Sequence, residues 1–113
     1  KKLYENKNVV KVITNKSLDN SQFTEAVKFT RKLSISAQNV YHHLGIYCYR
    51  CDILKKFVSL KQSKNEIKNN LEQLRALDND INIHVAFANS SPIGVDTEED
   101  FLAIKKIMEY KSQ

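Results

Sequence analysis

The sequence predicts an α/β fold, and three observations carry that prediction. Four short segments, at Val9–Thr14, Ala26–Lys32, Tyr41–Arg50 and Ile81–Ala88, are β-branched, aromatic or alternate apolar with polar residues as strands do. Three other segments space their apolar residues three and four apart, the period of a helix face. With 113 residues, 42% hydrophobic, 27% charged, two Gly and one Pro, the composition is that of one ordinary globular domain. It excludes a disordered, collagenous or disulfide-built chain.

Val9–Thr14 (VVKVIT) is apolar except at Lys11, as in a short and largely buried strand. Asn15–Glu25 is polar and predicts a loop, with Phe23 as the residue that tacks it down. In Ala26–Lys32, Val27, Phe29 and Arg31 alternate with Lys28 and Thr30, which predicts a half-exposed strand. Ser34–Asn39 reads as a turn and Tyr41–Arg50 as the third strand. Asp52 is placed to cap a helix through Leu60, with Ile53, Leu54, Phe57 and Val58 on its apolar face.

Ser63-x-x-Glu66 matches a capping box, in which the serine oxygen takes an orphan N–H and the glutamate reaches back to the cap N–H. The helix it opens has Ile67, Leu71, Leu74 and Leu77 as its stripe and ends at Asp78-Asn79-Asp80. Ile81–Ala88 is the fourth strand, and Asn89–Ile93 is a loop. Thr97-Glu98-Glu99-Asp100 starts the last helix, with Phe101, Ile104, Ile107 and Met108 on one side and Lys105, Lys106 and Lys111 toward its C-terminal end. So few strands leave a sheet edge that another segment or subunit would have to cover.

The net charge of +5 raises nucleic acid as a partner, but the lysines are spread along the chain and interleaved with acids rather than gathered into a block. No nucleic-acid partner is expected. No apolar run is long enough to cross a bilayer, and the basic start leads into Tyr4-Glu5-Asn6 rather than an apolar signal core, so no membrane partner is expected either. Two cysteines fit a reducing, cytoplasmic setting.

Three constellations could carry chemistry. Cys48-x-x-Cys51 runs from a strand end into a helix start, where a thiolate would be stabilised as in redox motifs; the plainer reading is two small apolar residues. Zinc would need two more ligands, and His42 and His43 fall on opposite faces of one strand. In Gly94–Asp100, the acids after Asp96 are explained by helix capping, whereas Asp96 precedes the cap and suits a hard cation such as Mg²⁺. Glu72, Gln73 and Arg75 flank the core-facing Leu71 and Leu74, either as solvated residues or as partners of a polyhydroxylated ligand.

The segments HHLGIYCYR, LEQLRALDNDINIHVA and PIGVDTEEDF, in this order and spacing, together with NVVKV and A-x-x-F-T-R, resemble the C-terminal half of the CMP-Kdo synthetase family, the bacterial 3-deoxy-manno-octulosonate cytidylyltransferases. The resemblance runs from about Asn6 to the end of the last helix. It implies part of a nucleotide-diphospho-sugar transferase fold, a mixed sheet flanked by helices, with residues 1–113 as a single domain lacking the N-terminal CTP-binding half.

The implied reaction, in lipopolysaccharide biosynthesis, converts CTP and Kdo to CMP-Kdo and pyrophosphate with Mg²⁺ as cofactor. The anomeric hydroxyl of the sugar acid attacks the α-phosphate. By motif position, Asp96 is implied as a catalytic and metal-binding aspartate, Arg31 as the partner of the sugar-acid carboxylate, and His43, Tyr47, Glu72 and Gln73 as partners of its hydroxyls. A homodimer, or a complementary N-terminal half, is the implied partner. The alternatives are a non-catalytic interaction fragment or degenerate copy of that enzyme and, third, a thiol redox domain.

Overall fold

The structure, a computed structural model, describes residues 6–19, 22–33, 38–89 and 94–112. Strands β1 (Lys11–Thr14), β2 (Thr24–Thr30) and β3 (Val40–His42) come first, followed by helices α1 (Cys51–Ser59), α2 (Lys64–Asn69) and α3 (Gln73–Asp78). Strand β4 (His84–Val85) and helix α4 (Glu98–Lys111) complete the order. The sheet runs β3-β1-β2-β4. The α/β class holds, and all three pairings are antiparallel.

The core is small. Val12 of β1 and Phe29 of β2 meet Leu71 and Leu74 from the α2–α3 region, and Val10, Ala26, Tyr41, Leu77, Ile83 and Val85 pack around them. Phe29 and Ala26 can both face this core because the β1–β2 register skips Val27: Ile13 lies opposite Lys28, but Thr14 lies opposite Ala26. Such a bulge resets the alternation, so Val27 turns outward and is 60% exposed instead of sharing the face of Phe29.

Other expectations are corrected in the same way. Phe23 is 70% exposed and does not tack the first loop down. That work falls to Tyr41, whose hydroxyl accepts from the Leu18 N–H at 2.8 Å. The third strand ends at His42, with one further ladder bond from the His43 N–H to the Val10 carbonyl; residues 43–50 then leave the sheet. The expected turn at Ser34–Asn39 lies partly outside the described residues, but Asn39 takes the left-handed φ of 56° that turns favour.

Arg50, not Asp52, is the N-cap of α1; Asp52 sits in the first turn and pairs with Arg50 at 3.2 Å. Of the expected apolar face only Phe57 is buried, and Leu54 and Val58 remain exposed. The capping box at Ser63 and Glu66 is formed as predicted, but the helix it opens stops at Asn69. Asn70 adopts φ 52°, ψ 48°, and that left-handed residue breaks the predicted run into α2 and α3. Ile67, before the break, is consequently 64% exposed, while Leu71 and Leu74, after it, are buried.

The fourth strand pairs over His84–Val85 alone. Its loop at Asn89–Ile93 lies largely outside the described residues. Thr97 and Asp100 form the second capping box as predicted, yet α4 buries none of its residues, and Phe101, Leu102, Ile107 and Met108 are all exposed. The radius of gyration, 16.0 Å, exceeds the roughly 13 Å of a compact chain of this length, in keeping with a small core and uncovered apolar surface.

Candidate sugar-acid site

Residues 43–50 leave the sheet, and their side chains build a bridge of rings. His43 meets the buried Phe29 edge-on, with centroids 5.3 Å apart at 84°. Tyr47 packs against His43 at 5.4 Å, Tyr49 against Tyr47 at 6.1 Å, and Phe57 of α1 against Tyr49 at 5.9 Å. The ladder thus runs from the sheet core to the first helix, each contact in the range where offset or edge packing of rings is favourable. The alternation of Tyr47 and Tyr49 that suggested a strand pairs with no strand: a tight turn closes from the Ile46 N–H to the Leu44 carbonyl at 2.8 Å, and the two rings pair with histidine and helix instead.

The Tyr47 hydroxyl lies 2.7 Å from His43 Nε2. Burial, followed by the neighbouring His42, lowers the His43 pKa below its usual value. The Tyr47 hydroxyl is pushed up to about 12 by burial first, then by Tyr49 and Glu72. At neutral pH both groups are therefore uncharged, a pair suited to exchanging hydrogen bonds with hydroxyls rather than to holding an ion.

His43, Tyr47 and Gln73 line one cavity of about 980 Å³, whose walls come from residues 41–50 and 81–88 and whose floor includes Val12 and Phe29. Glu72, although adjacent to Gln73, lines a separate cleft of about 490 Å³ with Gln62, Glu66 and Arg75. Arg75 is not a free ligand donor. Its Nε donates to Glu66 Oε1 at 2.9 Å and its Nη2 to Oε2 at 2.7 Å, while its guanidinium lies 4.8 Å from the Phe57 ring centroid. Glu66 also accepts from the Ser63 N–H, so one carboxylate closes the capping box and clamps α3 to α2. The Arg75 hydrogen bonds are the main cause of the lowered Glu66 pKa, opposed by burial and reinforced by Ser63.

Arg31 lines neither cavity. Its guanidinium donates to three backbone carbonyls: Nε to Asn69 and Nη1 to Lys7, both at 3.3 Å, and Nη2 to Asn70 at 3.1 Å. It therefore sits against the turn that leads into Glu72 and Gln73, two N–H groups short of full use. Lys11, which the sequence marks only as a polar interruption in an apolar strand, is the residue that sequence reasoning missed: it is fully buried. A buried lysine gives no signal in periodicity, because its partners are carbonyls brought near by the fold.

Asp96 stands apart from these groups, exposed and just ahead of the α4 cap. Asp100, which accepts from the N–H groups of Asp96 and Thr97 at 3.2 Å each, is committed to capping. Among the described residues no group of three or more His, Cys, Asp or Glu is gathered for a metal. Asp96 offers a single exposed carboxylate, which by itself does not make a closed metal cage.

Cys48 and Cys51 are free and exposed. Between them Arg50 is extended at φ −67°, ψ 140° as the N-cap of α1, and Tyr49 stacks on Tyr47.

The four antiparallel strands and the helices beside them make an α/β unit. No protein-family model matches the chain. It is 44% identical over 102 residues to the 3-deoxy-manno-octulosonate cytidylyltransferase of Bartonella tribocorum, covering 89% of this chain and 41% of that protein. To the same enzyme of Rhizobium meliloti it is 43% identical over 104 residues, 91% of this chain and 41% of the relative. The solved structure of CMP:2-keto-3-deoxy-manno-octonic acid synthetase complexed with CTP superposes with a TM-score of 0.75 at 30% identity, over 96% of this chain and 44% of that one. The chain is a partial-length relative of the CMP-Kdo synthetases and spans about two fifths of the curated relatives it matches.

Proposed function

We propose that this chain carries the sugar-acid side of a 3-deoxy-manno-octulosonate cytidylyltransferase, the enzyme that joins CTP and Kdo to give CMP-Kdo and pyrophosphate for lipopolysaccharide biosynthesis in the cytoplasm. The observation that supports it most is the cavity in which the uncharged His43–Tyr47 pair and Gln73 come together, in a chain 44% identical to such an enzyme. An acyclic or pyranose sugar acid presents many hydroxyls and one carboxylate. Neutral donors and acceptors on an aromatic wall bind the hydroxyls and apolar ring face.

In this reading His43, Tyr47 and Gln73 orient the sugar from the cavity; Glu72 serves from the neighbouring cleft, and Arg31, which lines neither, offers its two remaining N–H groups to the carboxylate from outside the cavity. Orientation of the anomeric hydroxyl toward the α-phosphate is the contribution these residues make. Asp96 would hold Mg²⁺, which when bound supplies charge neutralisation at the phosphates. The CTP-gripping residues and the covering for the sheet edge come from a complementary N-terminal half, or from the second subunit of a homodimer.

A second reading, a non-catalytic interaction fragment or degenerate copy, is favoured by one observation: α4 buries none of its residues and leaves Phe101, Leu102 and Met108 exposed. Thermal-shift measurements with Kdo, CTP and Mg²⁺, on the wild type and Asp96→Ala, separate the two, since a ligand that binds only the native state must stabilise it. The sugar-acid reading predicts a Kdo-dependent rise in Tm in both proteins; no rise with any ligand supports the interaction fragment.

A further inference from the structure

We propose that Lys11 is a positioning residue for the sugar-acid site: by holding the Arg31 backbone it sets the guanidinium that fixes the turn carrying Glu72 and Gln73. This rests on the sugar-acid reading of that site. Lys11 lies in the middle strand, opposite Thr30 of β2 and His42 of β3, and is 0% exposed. Its Nζ donates to the Asn6 carbonyl at 2.7 Å and to the Arg31 carbonyl at 2.5 Å. Among the described residues no carboxylate stands within ion-pair distance of Lys11 or Arg31.

A buried ammonium is costly to desolvate, and among the described residues no opposite charge offsets it; a methionine of similar length would pack the same space without that cost. What methionine could not do is hold two carbonyls at once. One of those carbonyls belongs to Arg31, whose own guanidinium holds the carbonyls of Asn69 and Asn70. Asn70 is the left-handed residue that ends α2, and Glu72 and Gln73 follow it by two and three positions. Lys11 is therefore linked to the site residues through one backbone and one side chain. Loss of its two bonds frees the Arg31 backbone, and the α2–α3 turn loses its fixed partner.

The test is nitrogen-15 NMR of wild type and Lys11→Met, following the Arg31 Nε–H and the backbone amides of residues 71–73, combined with calorimetric titration by Kdo. The expected result is a displaced, faster-exchanging Arg31 Nε–H, shifted amides at 71–73, intact protection at Val12 and Phe29, and Kdo binding weakened roughly tenfold. Unchanged Arg31 and 71–73 signals in folded Lys11→Met overturn the proposal, as does Kdo binding equal to wild type. If Lys11→Met does not fold, Lys11→Gln is measured instead: a shifted Arg31 Nε–H and 71–73 amides with weaker Kdo binding support the linkage, and unshifted signals overturn it. A wild type that binds no Kdo overturns the sugar-acid reading itself, whatever the amides do.

Discussion

Helices α2 and α4 begin with the same device and end in opposite circumstances. At each, a hydroxyl side chain accepts from the N3 amide while the N3 carboxylate accepts from the cap amide, Ser63 with Glu66 and Thr97 with Asp100. Past its cap, α2 leads into buried Leu71 and Leu74; α4, although 14 residues long, buries nothing. The capping box specifies where a helix starts, and a facing surface specifies whether it is held. Around α2 and α3 that surface exists, in Val12, Phe29 and the Glu66–Arg75 clamp.

The largest expected effect comes from breaking the packed region at its centre. Phe29→Ala removes the buried ring that contacts both Leu74's cluster and the His43 edge, and should cost about 3–5 kcal/mol by urea unfolding. A loss near zero would mean that the ladder does not depend on the sheet core.

Glu66→Gln comes next. It leaves Arg75 in place but removes the charge that both its donors and the Ser63 cap use, and should lower Tm by several degrees. Because the folded pKa of Glu66 is lowered, its contribution is present above the unfolded value and is lost as pH falls through the folded one. Wild-type stability should therefore decline on the acid side, below the ordinary range of carboxylates, and Glu66→Gln should flatten that decline. Equal acid limbs in the two proteins would remove the clamp from the account.

Thr97→Ala tests the other cap. Its expected cost is about 1 kcal/mol, seen as faster amide exchange in the first turn of α4 without change at Val12 or Phe29. Smaller still is Phe101→Ser on the exposed face, which should stay within about 0.5 kcal/mol for the chain alone. A larger loss, dependent on protein concentration, would show that copies of the chain cover α4 in solution.

The same contrast explains what could be read from the residues. Both capping boxes, the apolar β1 and the buried Leu71 and Leu74 were legible, because local hydrogen bonding and periodicity specify them. The bulge at Val27 and the break at Asn70 were not, since each depends on how a strand or helix meets its neighbour. Tyr47 and His43 were legible as site candidates from their motif; their uncharged pairing required the distance and the burial. Lys11 and Arg31 were legible only in part, because long side chains on carbonyls leave no pattern in sequence.

The proposed sugar-acid role of His43, Tyr47 and Gln73 is read most directly by a calorimetric titration of the chain with Kdo beside Gln73→Leu, which removes one amide from the cavity without reaching the core cluster. Saturable binding by the wild type is expected, weakened roughly tenfold in Gln73→Leu, with unchanged Tm of the unliganded protein. Equal binding by the two proteins, or none by either at millimolar Kdo, would contradict it.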